Sequence, residues 1–179
     1  MPIAPAKKVC VLTLVLALSG VFLFGRGSKP PAPALEERSG NYTTTAKMTY
    51  RNLALTAIIS RQSPQSCAVT FTSPESLKDM AMVFWSDRVD LSYKNAGFSF
   101  DPKSVPGNAA AQLAVGAMNT AMRGEGVMVG YTDQAITVKG MLDSGEFILQ
   151  LDRTAGNFIT LSIPAQRFEM EFFDFSFFE

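Results

Sequence analysis

Residues 108–126 read NAAAQLAVGAMNTAMRGEG. The stretch decides the fold, because it is the one long helical pattern in a chain otherwise patterned as strands. Ala110, Leu113, Ala114, Ala117, Met118, Ala121 and Met122 recur at helical spacing and form a single apolar stripe. Gln112, Asn119 and Arg123 fall off that stripe. Asn108 is placed to cap the helix and Gly124 to end it. The small alanines let such a helix lie close on a sheet, and the two methionines adapt to an irregular surface.

On either side of the helix the period falls to two. In YTTTAKMTY, residues 42–50, Tyr42, Thr44, Ala46, Met48 and Tyr50 share one face, while Thr43, Thr45, Lys47 and Thr49 share the other. LALTAIIS and CAVTFTS follow, separated by a turn expected over Arg61 to Gln65 around Pro64. SPESLKDM reads as one helical turn with Ser73 as cap and Pro74 at its first position. MVFWSDRVDLSYKNAGFSF then reads as a meander with turns at Ser86-Asp87 and Asn95-Ala96-Gly97. After the helix come VMVGYT, AITVKGML, EFILQLD, FITLSIP and RFEMEFFDFSFF, with turns at Asp133-Gln134, Asp143-Ser144-Gly145 and Ala155-Gly156-Asn157. In the last segment the alternation changes parity near Phe172-Phe173, as a β-bulge would require. The expectation is a mainly β, α+β domain over residues 41–179. It is a curled antiparallel sheet, or half-barrel, of about ten short strands with one covering amphipathic helix.

The N-terminal part differs. Lys7 and Lys8 precede an uncharged run from Val9 to Gly25, and residues 1–34 carry Lys7, Lys8, Arg26 and Lys29 without an acid. Such a run lies between the apolar core of an export signal and a membrane-spanning helix, with the N-terminus cytoplasmic. Ala32-Pro33-Ala34 has the small-x-small form of a cleavage site, but prolines surround it. Leu18-Ser19-Gly20 resembles the end of a lipoprotein signal, but Val21 stands where the acylated cysteine belongs. The expectation is an uncleaved apolar helix over residues 1–27, reaching the membrane through residues 9–25. A Pro-rich linker follows over 28–40, and the domain lies outside. Cleavage and secretion is the alternative.

Composition narrows the function. The chain has no histidine, which removes the commonest general base and metal ligand. The domain is slightly acidic without a basic run, so nucleic acid is not an expected partner. Glu169 and Glu171 share the solvent face of a strand, Gly124-Glu125-Gly126 is a helix stop, and no metal-ligand spacing or phosphate loop appears. No catalytic residue, metal or cofactor is expected. Cys67 falls in a strand and reads as a buried thiol. The surplus of large apolar residues points instead to a concave apolar site, with Phe84, Trp85, Phe98, Phe100, Leu113, Met118, Met122 and Phe147 as candidate lining.

The pattern of strands, one helix and strands behind an export signal resembles the lipoprotein-carrier superfamily of bacterial envelopes. That group comprises the Lol-type carriers and the mycobacterial lipid-binding lipoproteins. SPESLKDM after a Thr-rich strand and the closing FEMEFFDF also resemble uncharacterised clostridial envelope proteins. The chain departs from these families in lacking the lipobox cysteine and a helix before the first strand. The resemblance implies a membrane-anchored extracytoplasmic domain that holds a lipid or other apolar ligand in the concavity of the sheet. The alternative is a structural or protein-interaction module of the cell or spore envelope without a ligand.

Overall fold

The computed structural model describes residues 40–62, 66–107, 109–124 and 126–178. The expectations for residues 1–27 and for nearly all of the linker 28–40 lie outside these. Among the described residues no helix is long and apolar enough to cross a membrane.

Among the described residues, eleven strands form one antiparallel, unclosed, curled sheet. Six precede the helix: β1 (Asn41–Tyr50), β2 (Leu53–Gln62), β3 (Ser66–Ser73), β4 (Ala81–Phe84), β5 (Val89–Tyr93) and β6 (Ala96–Phe100). The helix, α1, spans Ala110–Arg123. Five strands follow: β7 (Met128–Tyr131), β8 (Ala135–Leu142), β9 (Gly145–Asp152), β10 (Phe158–Ile163) and β11 (Phe168–Phe178). The spatial order is β6-β5-β4-β3-β2-β1-β11-β10-β9-β8-β7. The chain thus steps outward to one edge, crosses through α1 to the other, and steps back until β11 pairs with β1. Its first and last strands are among the longest and lie in the middle. The two edges are the short strands that flank α1 in sequence.

Alternation sets which side each residue faces. Ala46, Met48, Leu55, Ala57, Ile59, Val69 and Phe71 are buried on the helix side of β1 to β3, and Ile136, Val138, Phe147, Leu149 and Leu151 on that of β8 and β9. α1 packs chiefly on β8 and β9. Its buried face is wider than the expected stripe, because Ala111 and Val115 are enclosed as well. Gly140 explains the close fit in this region. It stands opposite Phe147 on β9, and a Cβ there would sit 2.6 Å from the Phe147 ring.

The parity change in the last strand is a bulge. Thr43 pairs with Ser176 but Thr45 pairs with Phe173, and Asp174 takes φ of 49°. The buried Thr44 hydroxyl donates to the Phe173 carbonyl at 2.7 Å and so satisfies the disrupted ladder. Beyond the bulge Phe175 turns inward, stacks on Tyr42 at 5.0 Å and meets Phe158 edge-on at 5.7 Å. Phe173 stays on the outer side beneath the Lys47 ammonium, 4.8 Å from its ring centroid.

Four local expectations are corrected. The turn expected at Asn95-Ala96-Gly97 is the two residues Lys94 and Asn95, because Ala96 and Gly97 already pair with β5 as part of β6. β2 continues through Gln62, so Arg61 is a buried strand residue and not part of a turn. Ser73 ends β3, and the turn after it is a single 3-10 turn over Glu75–Leu77 capped by Pro74. Proline has no side-chain acceptor, so this short turn lacks the capping bond a Ser would make. The N-cap of α1 is Ala109, again without a side-chain capping bond, while Gly124 ends the helix in the left-handed conformation as expected.

Candidate functional site

Cross-strand pairs on neighbouring strands share a face, so the pairing follows two rows across the sheet on the helix side. One runs Phe100, Val89, Phe84, Cys67, Arg61, Tyr42. The other runs Phe98, Leu91, Met82, Val69, Ile59, Thr44. Both rows are enclosed at β1 to β3 and open towards β6. Phe98 is 57% exposed and Phe100 39%, with their rings stacked at 6.3 Å. Leu91 and Met82 beside them are half-buried. α1 packs chiefly on β8 and β9, so among the described residues this strip over β4 to β6 is left uncovered, as are Val129, Tyr131 and Phe177 elsewhere on the same side.

The eight residues singled out in the sequence therefore fall into three groups. Phe98 and Phe100 form the open strip. Phe84 belongs to the buried core on β4, and Leu113, Met118, Met122 and Phe147 to the buried core formed by α1 and β9. A ligand touching Leu113, Met118, Met122 or Phe147 would have to displace the helix. Trp85 faces the other side. Its indole donates to Asp90 Oδ2 at 2.8 Å, and the Arg88 guanidinium lies 4.9 Å from its ring. The Asp90 carboxyl also accepts from Ser99 at 2.6 Å and from Arg88 at 3.2 Å. These contacts, the Ser99 bond foremost, hold its pKa below the ordinary carboxylate value.

Leu91 and Met82 were missed in the sequence because aromatic residues were singled out in these strands and neither is aromatic. The pairing that sets Leu91 against Phe98 and Met82 against Leu91 is a tertiary fact. Missed also was the polar group inside the core. Arg61 donates to Asn119 Oδ1 on α1 at 2.8 Å, which ties the helix to β2. Its neighbours in the row are Tyr42 and Cys67. Burial pushes the Cys67 thiol up to about 11, against a smaller opposing effect of Arg61. Burial raises the Tyr42 phenol further in the same direction.

On the outer side a depression of about 330 Å³ lies over β1, β2 and β11, lined by Lys47, Thr49, Thr56, Glu169 and Glu171 among others. Glu169 and Glu171 are exposed there, on the solvent face their alternation implied. Among the described residues no three His, Cys, Asp or Glu side chains come together as a metal site would require.

No protein-family model matches the chain, and no curated protein matches it. Solved structures do. An uncharacterised conserved protein from Thermus thermophilus superposes with a TM-score of 0.56 at 10% identity, over 81% of this chain and 84% of its own. A LolA-superfamily protein from Nitrosomonas europaea gives 0.44 at 8% identity, over 84% and 95%. The Mycobacterium tuberculosis lipoprotein LppX gives 0.43 at 12% identity, over 79% and 91%. At such identities the likeness is one of fold alone. The architecture itself, one curled antiparallel sheet with one helix on its inner side among the described residues, is the fold class expected from the sequence.

Proposed function

We propose that the domain binds a lipid or other apolar ligand on the open strip of the helix side, against Phe98, Phe100, Leu91 and Met82. The observation that carries this is the uncovered, stacked Phe98–Phe100 pair, continuous through Val89 and Phe84 with the buried core. Removing two phenyl rings from water against an acyl chain supplies several kcal/mol, roughly 1.5–3 per ring. The run at residues 9–25 would hold the domain at the outer face of a bacterial membrane, where such ligands are found. Phe84 would lie behind the ligand, and Trp85 would take no part.

Titration of the full chain in mild detergent with a pyrene-labelled fatty acid tests the reading. The Phe98→Ser, Phe100→Ser double variant should bind at least about tenfold more weakly. Trp85→Phe should bind as the unmodified chain does. Equal affinity of the double variant would overturn the proposal.

A further inference from the structure

Among the described residues, the strand that carries the open strip is also an unguarded edge. β6 is Ala-Gly-Phe-Ser-Phe, with all five residues exposed and neither a charge nor a proline among them. Edge strands ordinarily carry a lysine, a proline or a bulge that blocks pairing with another chain. The orientation of the free backbone groups follows from the hairpin. β5 and β6 are joined by the two residues Lys94 and Asn95, so Tyr93 and Ala96 close the hairpin as a hydrogen-bonded pair. Alternation makes Leu91–Phe98 and Val89–Phe100 the next such pairs. The N–H and C=O groups of Gly97 and Ser99 therefore point away from the sheet.

We propose that β6 pairs with β6 of a second copy of this chain, antiparallel about a two-fold axis at Phe98. Gly97 then faces the partner's Ser99 and Ser99 the partner's Gly97, and each pair exchanges two backbone bonds. Phe98 faces its own copy as a non-hydrogen-bonded pair, with Cα atoms about 4.5 Å apart. Phe100 lies over the partner's Ala96. The charges at the strand ends choose this edge and this direction. Lys94 precedes β6 and Asp101 follows it, so antiparallel pairing sets each lysine beside the partner's aspartate, twice over. The other edge, β7, is also uncharged and exposed. It is preceded by Gly126-Val127 and followed by Thr132-Asp133, so the same operation offers its aspartate no base. A five-residue contact buries less than the roughly 1,000 Å² of a tight complex, so the dimer is weak and concentration-dependent. It joins two open strips into one.

Disulfide trapping reads the register directly. The full chain with Cys10→Ser keeps only the buried Cys67 as a native thiol. Adding Phe98→Cys and oxidising with diamide should link dimers several-fold more efficiently than Gly97→Cys or Ser99→Cys, since neither of those positions faces itself. Equal linking at the three positions, or none at any protein concentration, would overturn the proposal. A charge exchange gives the second arm. Phe98→Lys alone and Phe98→Glu alone should be monomeric, because each sets like charges face to face, and an equimolar mixture should form the mixed dimer. A dimer that persists in either single variant would contradict the two-fold register. Neither arm uses a lipid, so failure of the ligand reading would leave both results unchanged.

Discussion

Gly140 is a position where one missing side chain sets the packing. Alternation identifies it as an inward residue of β8, and nothing in the local sequence says that the Phe147 ring lies across it. Gly140→Ala places a methyl 2.6 Å from that ring and 2.9 Å from a Val127 methyl. Because Phe147 is fully enclosed, the ring cannot swing away freely. The variant should lose about 1–3 kcal/mol in urea unfolding. Cys67 yields a pH prediction. Its folded pKa of about 11 lies above the ordinary thiol value of 9.0. The proton is therefore held more tightly in the folded state, and its contribution is complete below pH 9.0 and lost as the pH rises towards 11. Stability should fall by up to about 2–3 kcal/mol across that window. Cys67→Ala should flatten this part of the profile. An unchanged slope would show that the thiol is not the titrating group. That Cys67 is buried was legible from its place in a strand. That Arg61 is buried beside it was not, because Pro64 drew the expected turn too early and the pattern of β2 runs on to Gln62.

Among the elements, the last strand shows how far pattern reading reaches. The switch from Phe168, Met170 and Phe172 to the other parity signals a bulge without pairing information, since a strand cannot bury both of its faces here. What the sequence does not carry is the partner that makes the bulge tolerable. Thr44, read only as an inward residue of β1, is the donor to the Phe173 carbonyl. Thr44→Val keeps the shape and the β-branch and removes the hydroxyl. It should cost about 1–3 kcal/mol, since a carbonyl in a partly enclosed bulge loses its donor. Urea unfolding measures it, and a neutral result would mean that water replaces the hydroxyl. The helix was legible in its extent and its C-terminal glycine. Its buried face was drawn too narrow because the stripe was counted from Ala110, whereas the sheet curls around α1 and takes in Ala111 and Val115.

At the scale of the molecule, the run of strands, helix and strands was legible but their spatial order was not. Hairpin patterns imply that sequential strands are neighbours, which holds throughout both halves. They do not imply that β1 meets β11, because that contact joins strands far apart in the chain and has no local signature. The same gap explains the dispersed site. Aromatic content marked Phe84, Trp85, Phe98 and Phe100 alike, but alternation through a turn puts Trp85 on one side of the sheet and Phe98 and Phe100 on the other. Coverage by α1 then decides which inward residues remain open, and coverage is a property of the assembled fold. The central claim is that the open strip is where an apolar ligand sits. A fatty acid carrying a photoreactive diazirine in its chain, bound to the full protein, irradiated and mapped by tryptic peptides, tests it most directly. The account predicts labelling concentrated between Lys94 and Lys103, the peptide that holds Phe98 and Phe100, and suppressed by excess unlabelled fatty acid. Labelling centred on the outer side around Lys47 and Thr56, or labelling that excess fatty acid does not suppress, would contradict it.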